Sequence, residues 1–140
     1  MEPQAPTMEK GLAHRLASAT ASIEGVRGVV VASLDGEALG SAGNADAARH
    51  AALASFVAFR AEALPVDGDL RGMGRQLAGS RFDHVAIAGA SGDSLIFGLG
   101  HAYLFLALAS GRAATILPAL SPVLRRFALL PNPAPRSQFA

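Results

Sequence analysis

The side chains of this sequence that are best suited to chemistry are four histidines, a scatter of serines and a set of arginines, and none falls into a catalytic spacing. His14, His50, His84 and His101 each lack a second His, Asp or Glu two to four residues further on. A metal needs three or four convergent donors, so no metal site is expected. Asp83 and His84 are neighbours in an expected strand; their side chains point to opposite faces and cannot form a dyad. Ser33, Ser91 and Ser94 lie outside any Gly-x-Ser-x-Gly, and no nucleophile has a base arranged beside it. GMGRQLAG (72–79) and GASGDSLIFGLG (89–100) are rich in glycine. A phosphate cradle needs a strand before the glycines and a helix after them, whereas the second segment runs from strand into strand. There is no GK[ST]. The expectation is a protein without enzyme activity or cofactor of its own.

Composition points the same way. The chain has 140 residues, enough for one domain. Hydrophobic residues make up 51% and charged residues 16%, against a usual charged share of about 25%. A chain so apolar and so short is expected to self-associate. Net charge is +1, which gives no electrostatic case for nucleic acid or for an anionic membrane as partner. The absence of cysteine fits a reducing cytoplasm. MEPQAPTMEK at the start is not a secretion signal. The apolar region from Leu95 to Ala109 is interrupted by GLGH and is too short to span a bilayer.

The elements follow from periodicity. Leu12, Leu16, Ala19 and Ile23 recur at helical spacing between Met8 and Ile23, and Gly25 stops that helix. Val26 to Leu34 is apolar on both alternating faces, as a strand covered on both sides must be. Asp35-Gly36 then supplies positive φ angles for a tight hairpin, and Glu37 to Ala42 alternates weakly, like an outer strand. Asn44 or Asp46 can cap a second helix that runs to about Leu64, with Leu53, Phe56, Val57 and Phe59 as apolar marks and Ala48, Ala51, Ala52 and Ser55 as a small-residue ridge. Pro65 ends it, VDGD is a loop, and Leu70 to Leu77 can hold a short helical turn.

Three strands come next, over Asp83–Gly89, Ser94–Leu99 and Ala102–Ala109, the last apolar on both faces and therefore central. Ile116, Leu117, Leu120, Val123, Leu124 and Phe127 form a final helical stripe, with Ser121-Pro122 placed to restart a kinked helix. Residues 1–7 and the Pro-rich tail 131–140 are expected to be disordered around a single domain over 8–130. The order is α-β-β-α-β-β-β-α, an α+β fold with one five-stranded antiparallel sheet and helices on both faces, layered as in profilin. Asp83–Gly89 carries no lysine or proline in its middle. An unpaired strand of that kind is an aggregation hazard, so it is either central or paired in a dimer.

In this order, GVRGVVVASLDGEALGSAG after an amphipathic helix, DAARHAALASFVAFRAEAL as an Ala-rich second helix, the hairpins of FDHVAIAGASGDSLIFGLGHAYLFLALAS and a closing helix resemble the Roadblock (dynein light chain) family, over about residues 8–130. Pro118 and Pro122, and the length of the 65–81 connection, depart from a minimal member. The resemblance implies a cytoplasmic homodimer in which the Asp83–Gly89 strand pairs with its copy and the second helices lie against each other. The interface residues would be Ala48, Ala52, Ser55, Phe56, Phe59, Val85, Ala86, Ile87 and Ala88. Truncating Phe56, if it is buried at a helix–helix seam, should cost about 3–5 kcal/mol. The resemblance further implies a platform for a small Ras-like GTPase, of the bacterial regulator type. A GTPase activator can insert an arginine into its partner's site. Candidates for partner contact are Arg49, His50 and Arg60 on the second helix, and Arg71, Arg75 and Arg81 beyond it. Two other readings stay open: a ligand-sensing domain of profilin-like or GAF-like layout, and a structural scaffold subunit.

Overall fold

The computed structural model of the chain describes residues 8–63, 84–113 and 115–127. The two expected disordered termini, the loop at 65–69, the turn at Leu70–Leu77 and the arginines at 71, 75 and 81 lie outside the described residues. Helix α1 (Lys10–Ala21) leads into β1 (Val26–Ala32) and β2 (Ala38–Gly43), then α2 (Ala47–Ala63), β3 (His84–Ile87), β4 (Asp93–Gly98), β5 (Tyr103–Leu108) and α3 (Ile116–Arg126). The five strands form one antiparallel sheet in the order β2-β1-β5-β4-β3. The strand that is apolar on both faces, β5, is the middle strand, and the weakly alternating β2 is an edge.

The double-sided strands work as their patterns require. Val29 and Val31 of β1 and Leu104 and Leu106 of β5 point into a core shared with α1 and α3. Val30 of β1 and Phe105 of β5 point the other way, into a core beneath α2. One face of the sheet therefore carries α1 and α3, which touch each other, and the other carries α2.

Helix α1 buries Ala13, Leu16, Ala17 and Thr20, and the rest of the expected stripe, Leu12, Ala19 and Ile23, is half-buried against the same core. The depth of the small residues reflects close approach. A side chain at Gly40 of β2 would place its Cβ 2.7 Å from backbone atoms of Ala13 and His14. Small residues on both elements let the helix lie that near the strand, and Thr20 returns its hydroxyl to the Leu16 carbonyl at 2.8 Å.

The β1–β2 turn differs from a two-residue hairpin. Ser33 N donates to the Glu37 carbonyl at 2.8 Å, Gly36 N donates to the Ser33 carbonyl at 3.0 Å, and Gly36 takes φ 89°. Three residues make the connection, with the glycine at the left-handed position. Glu37 N also donates to Ser33 Oγ, which explains a buried serine. Nor does α3 restart at Ser121-Pro122; it is continuous, and Ser121 Oγ donates back to the Leu117 carbonyl at 3.2 Å. Pro118 sits in the first turn, where a backbone N–H would have no helical partner anyway. The inward stripe of Ile116, Leu120, Val123 and Leu124 holds the helix across Pro122.

Asp93, which the sequence suggests is a turn residue, opens β4 and is buried. Its Oδ2 accepts hydrogen bonds from Gly111 N at 2.9 Å and Ala113 N at 3.2 Å, fixing the chain between β5 and α3. Hydrogen bonds to a charged group are worth about 1.5–3 kcal/mol each, and losing them leaves two donors orphaned. Asp93→Ala should therefore cost about 2–4 kcal/mol, read as a lower urea midpoint at an unchanged slope.

Candidate interaction surface

Helix α2 is inside out by the usual measure. Its start is fixed by Asp46, whose Oδ1 accepts from Arg49 N at 3.3 Å and whose carbonyl accepts from His50 N. The lane facing the sheet is alanine: Ala51, Ala54 and Ala58 are fully buried, three and four residues apart. The volume between the layers comes instead from the sheet, through Phe105, Tyr103, Ile96 and Val30. Three large apolar residues of α2 then point outward. Phe56 is 63% exposed, Phe59 70% and Leu53 41%.

The expected small-residue ridge divides between the two sides. Ala51 belongs to the sheet-facing lane, whereas Ala48 and Ala52 are exposed beside Phe56 and Phe59. Ser55 is half-buried and its Oγ donates to the Leu34 carbonyl at 2.8 Å, tying the β1–β2 hairpin to the helix. Gly36 lies against that same flank, a Cβ there being 3.3 Å from Ala52 Cα.

Strand β3 is open as well. It pairs with β4 on one side, and on the other it ends the sheet among the described residues. Ala86, Ile87 and Ala88 are exposed and Val85 is half-buried, so neither face of the strand has a helix over it among the described residues. Residues 84–87 are the strand proper, and Ala88 lies just beyond its end. Each of the nine expected interface positions thus lies on α2 or on the β3 edge, and all except Ser55 and Val85 are exposed.

Arg49 and Arg60 are exposed on α2. His50 is not on the open face, where the sequence reading puts it. Its ring stacks on Phe105, with centroids 4.4 Å apart and planes inclined by 11°, and its Nδ1 is buried without a hydrogen-bond partner. At helical spacing it precedes Ala54 by four, so it turns toward the sheet. His84 lies 6.1 Å from Phe97 in a parallel arrangement across the β3–β4 pair. Among the described residues, no three His, Asp or Glu side chains come close enough together to hold a metal ion. None of the helices there is long and apolar enough to cross a membrane.

No family model matches the sequence. The search of curated proteins also finds no match. Solved structures do match. A Roadblock/LC7 domain from Streptomyces avermitilis superposes with a TM-score of 0.62 at 16% identity, covering 89% of this chain and all of that one. The gliding protein MglB from Thermus thermophilus gives 0.62 at 20% identity, covering 91% and 98%. A structure described as MglB with tetrameric arrangement gives 0.63 at 18% identity, covering 91% and 92%. The likeness spans nearly the whole of each chain, and at these identities it is a likeness of fold: the chain has the Roadblock/LC7 fold.

Proposed function

We propose that this Roadblock-fold chain acts in the cytoplasm as a homodimeric, non-enzymatic platform that binds a small Ras-like GTPase and regulates its nucleotide cycle or position. The observation that carries this reading is the coincidence of two open features in one protomer: a β3 edge with no neighbouring strand among the described residues, and a helix whose bulky apolar residues face away from its own core. Monomeric proteins protect free strand edges and seldom leave two phenylalanines this bare on one helix.

Antiparallel pairing of β3 with a second copy removes the edge. The twofold axis that does so is perpendicular to the sheet, so like faces stay on the same side. Both α2 helices then share one face of a ten-stranded sheet, and both α1–α3 layers share the other. The α2 side offers Leu53, Phe56 and Phe59 to each other and, with Arg49 and Arg60, a docking face to the GTPase.

The test is a pull-down of the short-chain GTPases encoded in the same genome, each loaded with GDP and with GTP, followed by GTP turnover with and without this protein. Binding in one nucleotide state with a changed turnover is the expected result. Binding with unchanged turnover assigns a scaffold instead, and no binding in either state overturns the reading.

A further inference from the structure

The net charge of +1 conceals a separation of charge between the two faces. Among the described residues, the α1–α3 layer exposes Lys10, Arg15, Arg125 and Arg126, with the half-buried Arg112 at its margin, against Glu9 and Glu24. The opposite side, made of α2 and the hairpin packed on it, exposes Arg49 and Arg60 against Asp35 and Asp46, while Arg27 and Glu37 are exposed on the strands between the layers. One layer therefore carries an excess of three positive charges, whereas those of the other balance.

The basic layer also lacks what a protein partner grips. The exposed large hydrophobic residues among those described are Leu34, Leu53, Phe56, Phe59 and Ile87, and none is on α1 or α3. Protein interfaces centre on desolvated apolar or aromatic anchors, with charge at the rim. A surface of two adjoining helices with charge and no anchor fits a partner that is itself a sheet of negative charge. We infer that the α1–α3 face docks on anionic phospholipid head groups, which leaves the α2 face turned away from the bilayer and free for the protein partner.

This rests on the dimer proposed above, because the perpendicular twofold brings both basic layers to the same side. A single copy offers four exposed basic residues and the dimer eight, the upper end of the cluster of about 4–8 that marks anionic lipid recognition. The attraction is purely electrostatic, without an inserted apolar group, so it should be salt-reversible.

The experiment is co-sedimentation of the full chain with vesicles of phosphatidylcholine alone and of phosphatidylcholine containing phosphatidylserine, with light scattering of the same samples. The expected result is binding to the anionic vesicles only, lost at about 0.5 M salt, where screening extends over only a few ångströms. Arg125→Glu with Arg126→Glu should reduce binding by more than about tenfold, as should Lys10→Glu with Arg15→Glu on the other helix, whereas Arg125→Lys with Arg126→Lys should retain it. A dimer that ignores anionic vesicles, that binds both vesicle types equally, or that binds them after both reversals overturns the inference while leaving the dimer intact. Retention by duplex DNA without retention by vesicles assigns a nucleic-acid surface and also overturns it. A monomer in every sample removes the premise and the proposal with it.

Discussion

Replacing Phe56 and Phe59 together by arginine should convert a particle of twice the 14.3 kDa chain mass into one of 14.3 kDa, with far-UV circular dichroism little changed and a melting temperature that is lower and no longer depends on concentration. Both rings are more than three-fifths exposed in the protomer, so neither holds its core together. Surface substitutions away from packing features usually stay within about 0.5 kcal/mol. At an interface the same residues act differently. Truncating a central aromatic anchor costs about 2–4 kcal/mol, and each 1.4 kcal/mol is tenfold in affinity. Even the single Phe56→Ala change should weaken self-association about 30-fold or more. The arginine pair adds like charges facing each other across a twofold axis. Light scattering across a dilution series checks both. A double variant that keeps the dimer mass would show that α2 does not meet its copy through these rings.

Phe105→Ala is the opposite experiment on the same residue type. Phe105 is 2% exposed at the centre of the middle strand, and it is the largest of the fully enclosed side chains on either face. It fills the gap that the alanine lane of α2 leaves, and it carries the His50 ring. Core Phe→Ala changes cost about 3–5 kcal/mol. That is a large part of the ~5–15 kcal/mol by which a domain is stable. The melting temperature should fall by about 10–20 °C at a few degrees per kcal/mol for a chain of this size. Phe105→Leu, which keeps most of the volume, should cost less than about 1.5 kcal/mol. If the Phe105→Ala chain melts like the parent, the small helix lane is not what the sheet side chains are filling.

The contrast between Phe56 and Phe105 shows where sequence reasoning succeeds and where it stops. The strands are legible because alternation reports directly on cover: Val29 to Ala32 is apolar at every position, and it is enclosed on both faces. Helix existence is legible too, from spacing and from stops such as Gly25. The inward stripe of α3 is legible as well, whereas the inward faces of α1 and α2 are legible only in part. Hydrophobic periodicity assigns the largest residues to the core, whereas here α1 and α2 approach the sheet largely through alanine, and the strands supply most of the bulk. Gly40 is the available signal for α1, since a bare position in a strand marks close approach. Gly36 is a weaker signal for α2.

Long-range polar partners are out of reach. Asp93 reads as a turn residue, because its two donors lie 18 and 20 residues away and are backbone groups without any side-chain identity. His50 is misplaced because its ring turns to the sheet beside the alanine lane, on the side of α2 opposite to Phe56 and Phe59. The separation of charge between the layers is invisible as well. It depends on knowing that α1 and α3, near opposite ends of the chain, touch each other on one face of the sheet.

A second copy covering the free β3 edge is the premise on which the assembly and both of its faces depend. Amide hydrogen exchange of Val85 to Ile87 as a function of protein concentration tests it most directly. The outward-facing amides of this strand should be protected at concentrations where the particle has twice the chain mass, and should exchange rapidly after dilution or in the Phe56–Phe59 double variant. Rapid exchange of those amides at every concentration, beside a protected β4, would contradict the account.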